Sequence, residues 1–159
     1  MRYPRGTGVG AAIQSRMQQL PLGKGLIKTE GKQVAILCFG TLLATAQQVA
    51  EQHGYSLCDM RFVKPLDAEL IEAMAASHQL LVTLEENAIA GGAGSAVGEY
   101  LNSRALNVPV LQLGFSDEFV DHASQKQQLT RQGLDAKSIA ERINARLNSA
   151  IADAKRAAG

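Results

Sequence analysis

Two adjacent carboxylates, Glu85 and Glu86, close an apolar run and precede a glycine-rich turn, Gly91-Gly92-Ala93-Gly94-Ser95. Carboxylates can move protons. A turn that opens a helix can hold an anion on unpaired backbone amides at the positive end of the helix dipole. Each feature also has a plainer use. Adjacent residues on an extended chain point to opposite faces. Glu85 and Glu86 therefore do not converge on one site, as a catalytic pair must. Pairing with a cation, or capping the glycine turn, is the expected role. The turn matches the dinucleotide fingerprint only loosely. That fingerprint follows a first strand and is answered by an acidic residue about 20 positions on. Here the turn follows a late strand, and the carboxylates before it repel a phosphate. Close backbone packing is the expected work of these glycines.

Other chemistry-bearing residues are sparse. Asp59 and Arg61 share parity on a strand predicted over 56–62, which implies an ion pair at the strand end. The functional alternative is Arg61 as an anion ligand, since a guanidinium fork suits phosphate. His53, His78 and His122 are scattered, and two sit at predicted helix ends where a cation is favourable. No Ser or Cys occupies a nucleophile elbow, so a hydrolase triad is not expected. Cys38 and Cys58 fall in predicted buried strands and fit neither a zinc motif nor a disulfide framework. They read as small hydrophobes, consistent with a reducing cytoplasm. Arg2-Tyr3-Pro4-Arg5-Gly6 is compact and doubly cationic, and Arg5 beside Gly6 could present a guanidinium to an oxyanion. Composition alone favours a chain end with two solvated charges there.

The elements that position these residues alternate. A short edge strand over 25–29 is followed by continuous apolar runs at 34–39 and 80–84, as in strands covered on both faces. A strand at 108–113 carries Pro109 near its start, which suggests a sheet edge. Helices are predicted after Thr41, with that residue as the cap, and after Pro65 with Asp67 as the cap. Further helices are predicted over 94–104, 124–132 and 135–147, and the Ala/Lys-rich tail is expected to fray. Strands alternating with helices imply an α/β domain with a mostly parallel sheet of about five strands. A length of 159 residues supports one domain with a real core. With 46% hydrophobic and 19% charged residues the chain reads as globular. A net charge of +1 with interspersed signs leaves no basic block, so nucleic-acid binding is not expected. No apolar run approaches the roughly 18 residues of a membrane helix, and the start lacks the apolar core of a secretory signal.

Several segments taken together resemble one family. They are Arg-Tyr-Pro-Arg-Gly at 2–6, Leu-Pro-Leu-Gly-Lys-Gly at 20–25 and Asp-Met-Arg-Phe-Val-Lys-Pro-Leu-Asp at 59–67, followed by Glu-Glu-Asn-Ala-Ile-Ala-Gly-Gly-Ala-Gly-Ser at 85–95 and Gly-Leu-Asp-Ala at 133–136. In order and with few gaps, they resemble the C-terminal region of the 1-deoxy-D-xylulose-5-phosphate synthases, which are transketolase-like thiamine diphosphate enzymes. Ser116 stands where that family often has Pro, and Ala123 where it often has Gly. The stretch 10–19 is unlike the usual linker.

The resemblance implies a transketolase C-terminal-like domain in a three-layer α/β/α arrangement. Residues 1–20 would be linker from a preceding domain, 21–150 the domain and 151–159 a tail. It implies a homodimeric, cytoplasmic bacterial enzyme that joins pyruvate to glyceraldehyde 3-phosphate with loss of carbon dioxide, feeding isoprenoid and thiamine synthesis. Thiamine diphosphate and Mg²⁺ would be held by the preceding domains, so no catalytic, cofactor or metal residue is expected here and the fragment alone would be inactive. Arg5 matches the family arginine expected to bind the phosphate of glyceraldehyde 3-phosphate. The expected partners are the remaining domains, a second subunit and the two substrates, with no nucleic acid and no membrane. The alternatives are the equivalent domain of a 2-oxo acid dehydrogenase β subunit, or a stand-alone nucleotide- or anion-binding module.

Overall fold

The computed structural model describes residues 10, 15–16 and 18–157, with side chains to residue 149. In chain order the elements are β1 (Leu26–Thr29), β2 (Val34–Phe39), α1 (Leu43–His53), β3 (Ser56–Asp59), α2 (Ala68–Ser77), β4 (Leu80–Ala88), α3 (Ala93–Ser103), β5 (Val110–Phe115), α4 (Gln125–Arg131) and α5 (Ala136–Ala157). The sheet runs β1-β3-β2-β4-β5. β2, β3, β4 and β5 are parallel, and β1 adds antiparallel to β3 at one edge.

Period-two alternation divides the core. Val34, Ile36 and Cys38 of β2, with Leu80, Val82 and Leu84 of β4, pack against Leu42, Ala46 and Val49 and against Ile139, Ile143 and Leu147. Ala35, Leu37 and Phe39, with Leu81 and Cys58, face Ile71 and Met74 of α2 and Val97 and Leu101 of α3. All six residues of β2 are buried. The expected three-layer α/β/α domain with a five-stranded, mostly parallel sheet is the one observed.

Boundaries differ for local reasons. β3 ends at Asp59 rather than at residue 62, because Arg61 takes a left-handed backbone with φ 58° that cannot continue a strand. β5 begins at Val110 rather than at 108; Pro109 has no N–H to give the ladder, although its carbonyl accepts from Leu81 N–H at 3.0 Å. β4 continues past Leu84 to Ala88 across a register shift against β5. α5 runs through Ala157, beyond the expected end at Leu147, so residues 151–157 of the expected frayed tail are helical. Alanine's high helix propensity supports that extension.

The chain passes from β2 to β3 on one side and then to β4 on the other. This reversal makes a topological switch point at the carboxyl ends of β2 and β4, where ligands of open α/β sheets usually bind. Glu85, Glu86 and Thr41 lie there.

Candidate functional site

The alternation that packs Leu81 toward α3 sends Glu85 the same way and Glu86 the other way. Glu85 is buried, 4% exposed. Its two oxygens accept from the amides that open α3: Ala93 N–H to Oε2 and Gly94 N–H to Oε1, each at 2.8 Å. The chain thus supplies its own anion to the helix N-terminus. A buried carboxylate that accepts two amide hydrogen bonds is a strong, charge-assisted pairing. The glycines make room for it. A Cβ on Gly92 would sit 2.3 Å from the Ala88 carbonyl and 2.6 Å from each Glu85 oxygen. A Cβ on Gly94 would sit 2.4 Å from the Thr83 hydroxyl. Gln112 Nε2 donates to the Gly94 carbonyl at 2.9 Å and Ser95 Oγ to the Ile89 carbonyl at 2.7 Å, which closes the corner. The expected capping role belongs to Glu85. A phosphate at the glycine turn would have to displace it, so the anion-binding alternative loses its site.

Glu86 faces the opposite layer. Thr41 Oγ1 donates to its Oε2, and Gln125 Nε2 donates to Oε1 at 3.2 Å. Thr41 was expected to cap α1, but the cap position is Leu42, with no side-chain hydrogen bond. The Thr41 hydroxyl is committed to Glu86 instead. The pair joins the β2–α1 turn to the start of α4 across the switch point. Asp67 does cap α2 as expected, accepting from Leu70 N–H at 3.2 Å, and it also takes Gly25 N–H at 2.8 Å.

The expected ion pair between Arg61 and Asp59 is present, with Nε 3.5 Å from Oδ2. The parity argument for it fails, since Arg61 lies beyond the strand in left-handed backbone. Cys38 and Cys58 are both buried free thiols. Burial, aided by Asp59 for Cys38 and by Asp67 for Cys58, pushes each thiol up to about 12. Neither is a thiolate nucleophile near neutral pH. Arg5, the one substrate ligand expected from the family resemblance, lies outside the described residues.

One contact was not legible in the sequence. His78 Nε2 lies 2.9 Å from Ser56 Oγ, at the amino end of the sheet. The His78 Nδ1 lies 3.0 Å from the Met74 carbonyl and 2.9 Å from Ser77 Oγ. Ser56 is 4% exposed, and its oxygen accepts from Gly31 N–H at 2.9 Å. No carboxylate orients this imidazole among the described residues. The group is a polar clasp between β3, the C-terminal end of α2 and the β1–β2 turn. Two partners 22 residues apart carry no signal in spacing.

Among the described residues no three His, Cys, Asp or Glu side chains group to hold a metal ion. With the α3 amides held by Glu85, these residues do not fit a Mg²⁺–diphosphate cofactor. What the site can do chemically is brace the carboxyl edge of the sheet.

The sequence profile of the family described as "Transketolase, C-terminal domain" matches residues 23–139. Over all 159 residues the chain is 68% identical to a 1-deoxy-D-xylulose-5-phosphate synthase of Cellvibrio japonicus, covering 25% of that protein. It is 53% identical over 147 residues to the synthase of Pseudomonas putida strain F1, covering 92% of this chain and 23% of that one. The chain therefore spans about a quarter of the length of these curated relatives. Among solved structures, a split-gene transketolase described as an inactive β4 tetramer superposes with TM-score 0.74 at 31% identity, over 85% of this chain and 44% of its own. A transketolase from Campylobacter jejuni superposes at TM-score 0.57 and 11% identity, over 77% of this chain and 18% of its own, a likeness of fold alone.

Proposed function

The chain belongs to the transketolase C-terminal domain family, and from that premise we propose that it is the C-terminal domain of a 1-deoxy-D-xylulose-5-phosphate synthase. The whole enzyme would be a thiamine diphosphate- and Mg²⁺-dependent transferase that condenses pyruvate with glyceraldehyde 3-phosphate and releases carbon dioxide. It would supply isoprenoid and thiamine precursors in a bacterial cytoplasm. The observation that carries this reading is 68% identity across every residue of the chain. No described helix is long and apolar enough to cross a membrane.

On this reading the domain contributes packing rather than chemistry. The cofactor and its metal belong to the remaining three quarters of the relatives' length. Glu85, Thr41 and Glu86 hold the carboxyl edge of the sheet in shape, and residues 1–20 link to the preceding domain. The whole enzyme would be a homodimer; the split-gene relative is itself described as an oligomer, a β4 tetramer.

Two measurements test the reading. The isolated chain, given pyruvate, glyceraldehyde 3-phosphate, thiamine diphosphate and Mg²⁺, should form no product; turnover would overturn the claim that it is incomplete. In the full-length enzyme Arg5→Ala should raise KM for the phosphorylated aldehyde by about tenfold or more, because a charge-assisted phosphate contact is lost. An unchanged KM would remove Arg5 from the substrate site.

A further inference from the structure

Between β5 and α4 the chain draws away from the core. Residues 116–128 include no buried side chain, and α4 itself buries none. Phe119, in this stretch, is 106% exposed, more than any other exposed large apolar side chain among the described residues; Leu22 follows at 75%. Neither core cluster includes it. A scattered exposed apolar residue is ordinary, but this one is held in place. The N–H and hydroxyl of Ser116 each donate to Gln132 Oε1 at 3.1 Å, and Gln128 Nε2 donates to the Asp121 carbonyl at 3.1 Å. Ser124 and Gln127 close a capping box at the start of α4. Gln125 Nε2, bonded to Glu86 Oε1, ties the same segment to the end of β4. Hydrogen bonds thus fix the course of the loop while its ring stays in water. A loop fixed beforehand loses less conformational entropy when it docks.

The flanking side chains are acidic. Asp117, Glu118 and Asp121 are exposed and make no ion pair with a described residue. An aromatic anchor among unpaired carboxylates fits an apolar recess with a cationic rim.

Size selects the occupant. A buried phenylalanine covers about 150–250 Å², whereas a specific interface between separate proteins needs about 1,000 Å² or more. One ring does not hold two molecules together. It suffices between parts of one polypeptide, where the tether supplies a high effective concentration. The chain spans about a quarter of the length of its curated relatives.

We propose that Phe119 is an anchor between domains. In the full-length enzyme its ring sits in an apolar recess with a Lys/Arg rim, on the part of the same polypeptide outside this chain. The proposal rests on the reading of the chain as one domain of a longer synthase.

Photocrosslinking of the full-length enzyme tests it, with Phe119 replaced by p-benzoyl-phenylalanine, which keeps an aromatic ring at the position. Illumination should join that ring to a peptide outside these 159 residues without doubling the mass on a denaturing gel. Peptide mapping should find apolar residues with Lys or Arg beside them. A crosslink that doubles the mass assigns the ring to the partner subunit and overturns the proposal. A crosslink confined to the 159 residues, or none at all, does the same. Unfolding gives a second readout. Phe119→Ser should lower the urea midpoint of the full-length enzyme and leave that of the 159-residue chain unchanged, and Phe119→Leu should recover most of the loss. A full-length midpoint that does not move counts against docking. Product formation by the unsubstituted full-length enzyme tests the synthase reading separately, because the crosslink is read without turnover.

Discussion

The corner at 85–95 and the loop at 116–124 follow neighbouring strands and leave the same end of the sheet, yet they are opposite in kind. The corner is saturated. Glu85 fills the amides of α3, and Gly92 and Gly94 allow backbone and carboxylate to meet within hydrogen-bond distance. The loop is bare, with a fully exposed Phe119 among carboxylates that find no described partner. The residues with the strongest chemical signal are used inside the fold, and a fully exposed aromatic ring lies in a stretch without a motif. A carboxylate on the inward face of a strand, eight residues before a glycine-opened helix, is that helix's own ligand.

The contrast can be broken most directly at Glu85. Glu85→Ala leaves two buried amides without acceptors, and at about 1–3 kcal/mol each the expected cost is about 4 kcal/mol. Glu86→Ala, one residue away but partly exposed, should cost under about 1 kcal/mol. Urea unfolding of the two variants side by side measures the difference; equal losses would dissolve the distinction. Gly92→Ala comes next. Its Cβ meets a backbone carbonyl that cannot rotate away, and overpacking of this kind costs about 3 kcal/mol. A wild-type urea midpoint would mean that the corner is looser than its distances imply.

A smaller effect sharpens the comparison between buried and solvated carboxylate caps. Asp135 accepts from Ser138 N–H at 3.1 Å and from Ser138 Oγ at 2.7 Å at the start of α5. Those hydrogen bonds, the hydroxyl's foremost, hold its carboxyl below the ordinary carboxylate value. Its contribution is therefore fully present above the unfolded value of about 3.9, and it is lost as pH falls through the lower folded value. Asp135→Ala should cost about 1 kcal/mol at pH 7. That cost should shrink progressively in urea titrations taken below about pH 4; a pH-independent cost would assign the loss to packing instead. The least effect is expected at Phe119. Phe119→Ser should leave monomer unfolding within about 0.5 kcal/mol of wild type. A larger loss would place the ring inside the fold.

Much of the architecture was legible because it rests on local chemistry. The unbroken apolar run Val34–Phe39 reads as a strand covered on both faces, and Asp67 after Pro65 announces a helix start. The parity of Glu85 and Glu86 correctly sent them to different layers. Thr41 was misjudged because a hydroxyl chooses between a nearby amide and a distant carboxylate, and only the fold brings Glu86 within reach. β3 was extended too far because nothing in a one-residue window reveals the left-handed backbone of Arg61. The clasp of Ser56, His78 and Gly31 was invisible because its members come from three separate elements.

Sequence by itself determined the class of this protein: alternating strands and helices, a sheet buried on both faces, and a set of ordered segments shared with one enzyme family. Those properties depend on periodicity and residue type, which are written along the chain. Tertiary structure decided what the glycine-rich corner is for. Whether a helix N-terminus receives a ligand or a side chain depends on what stands in front of it. In this chain strand β4 delivers the Glu85 carboxylate to 2.8 Å from both amides, and the site is filled from within.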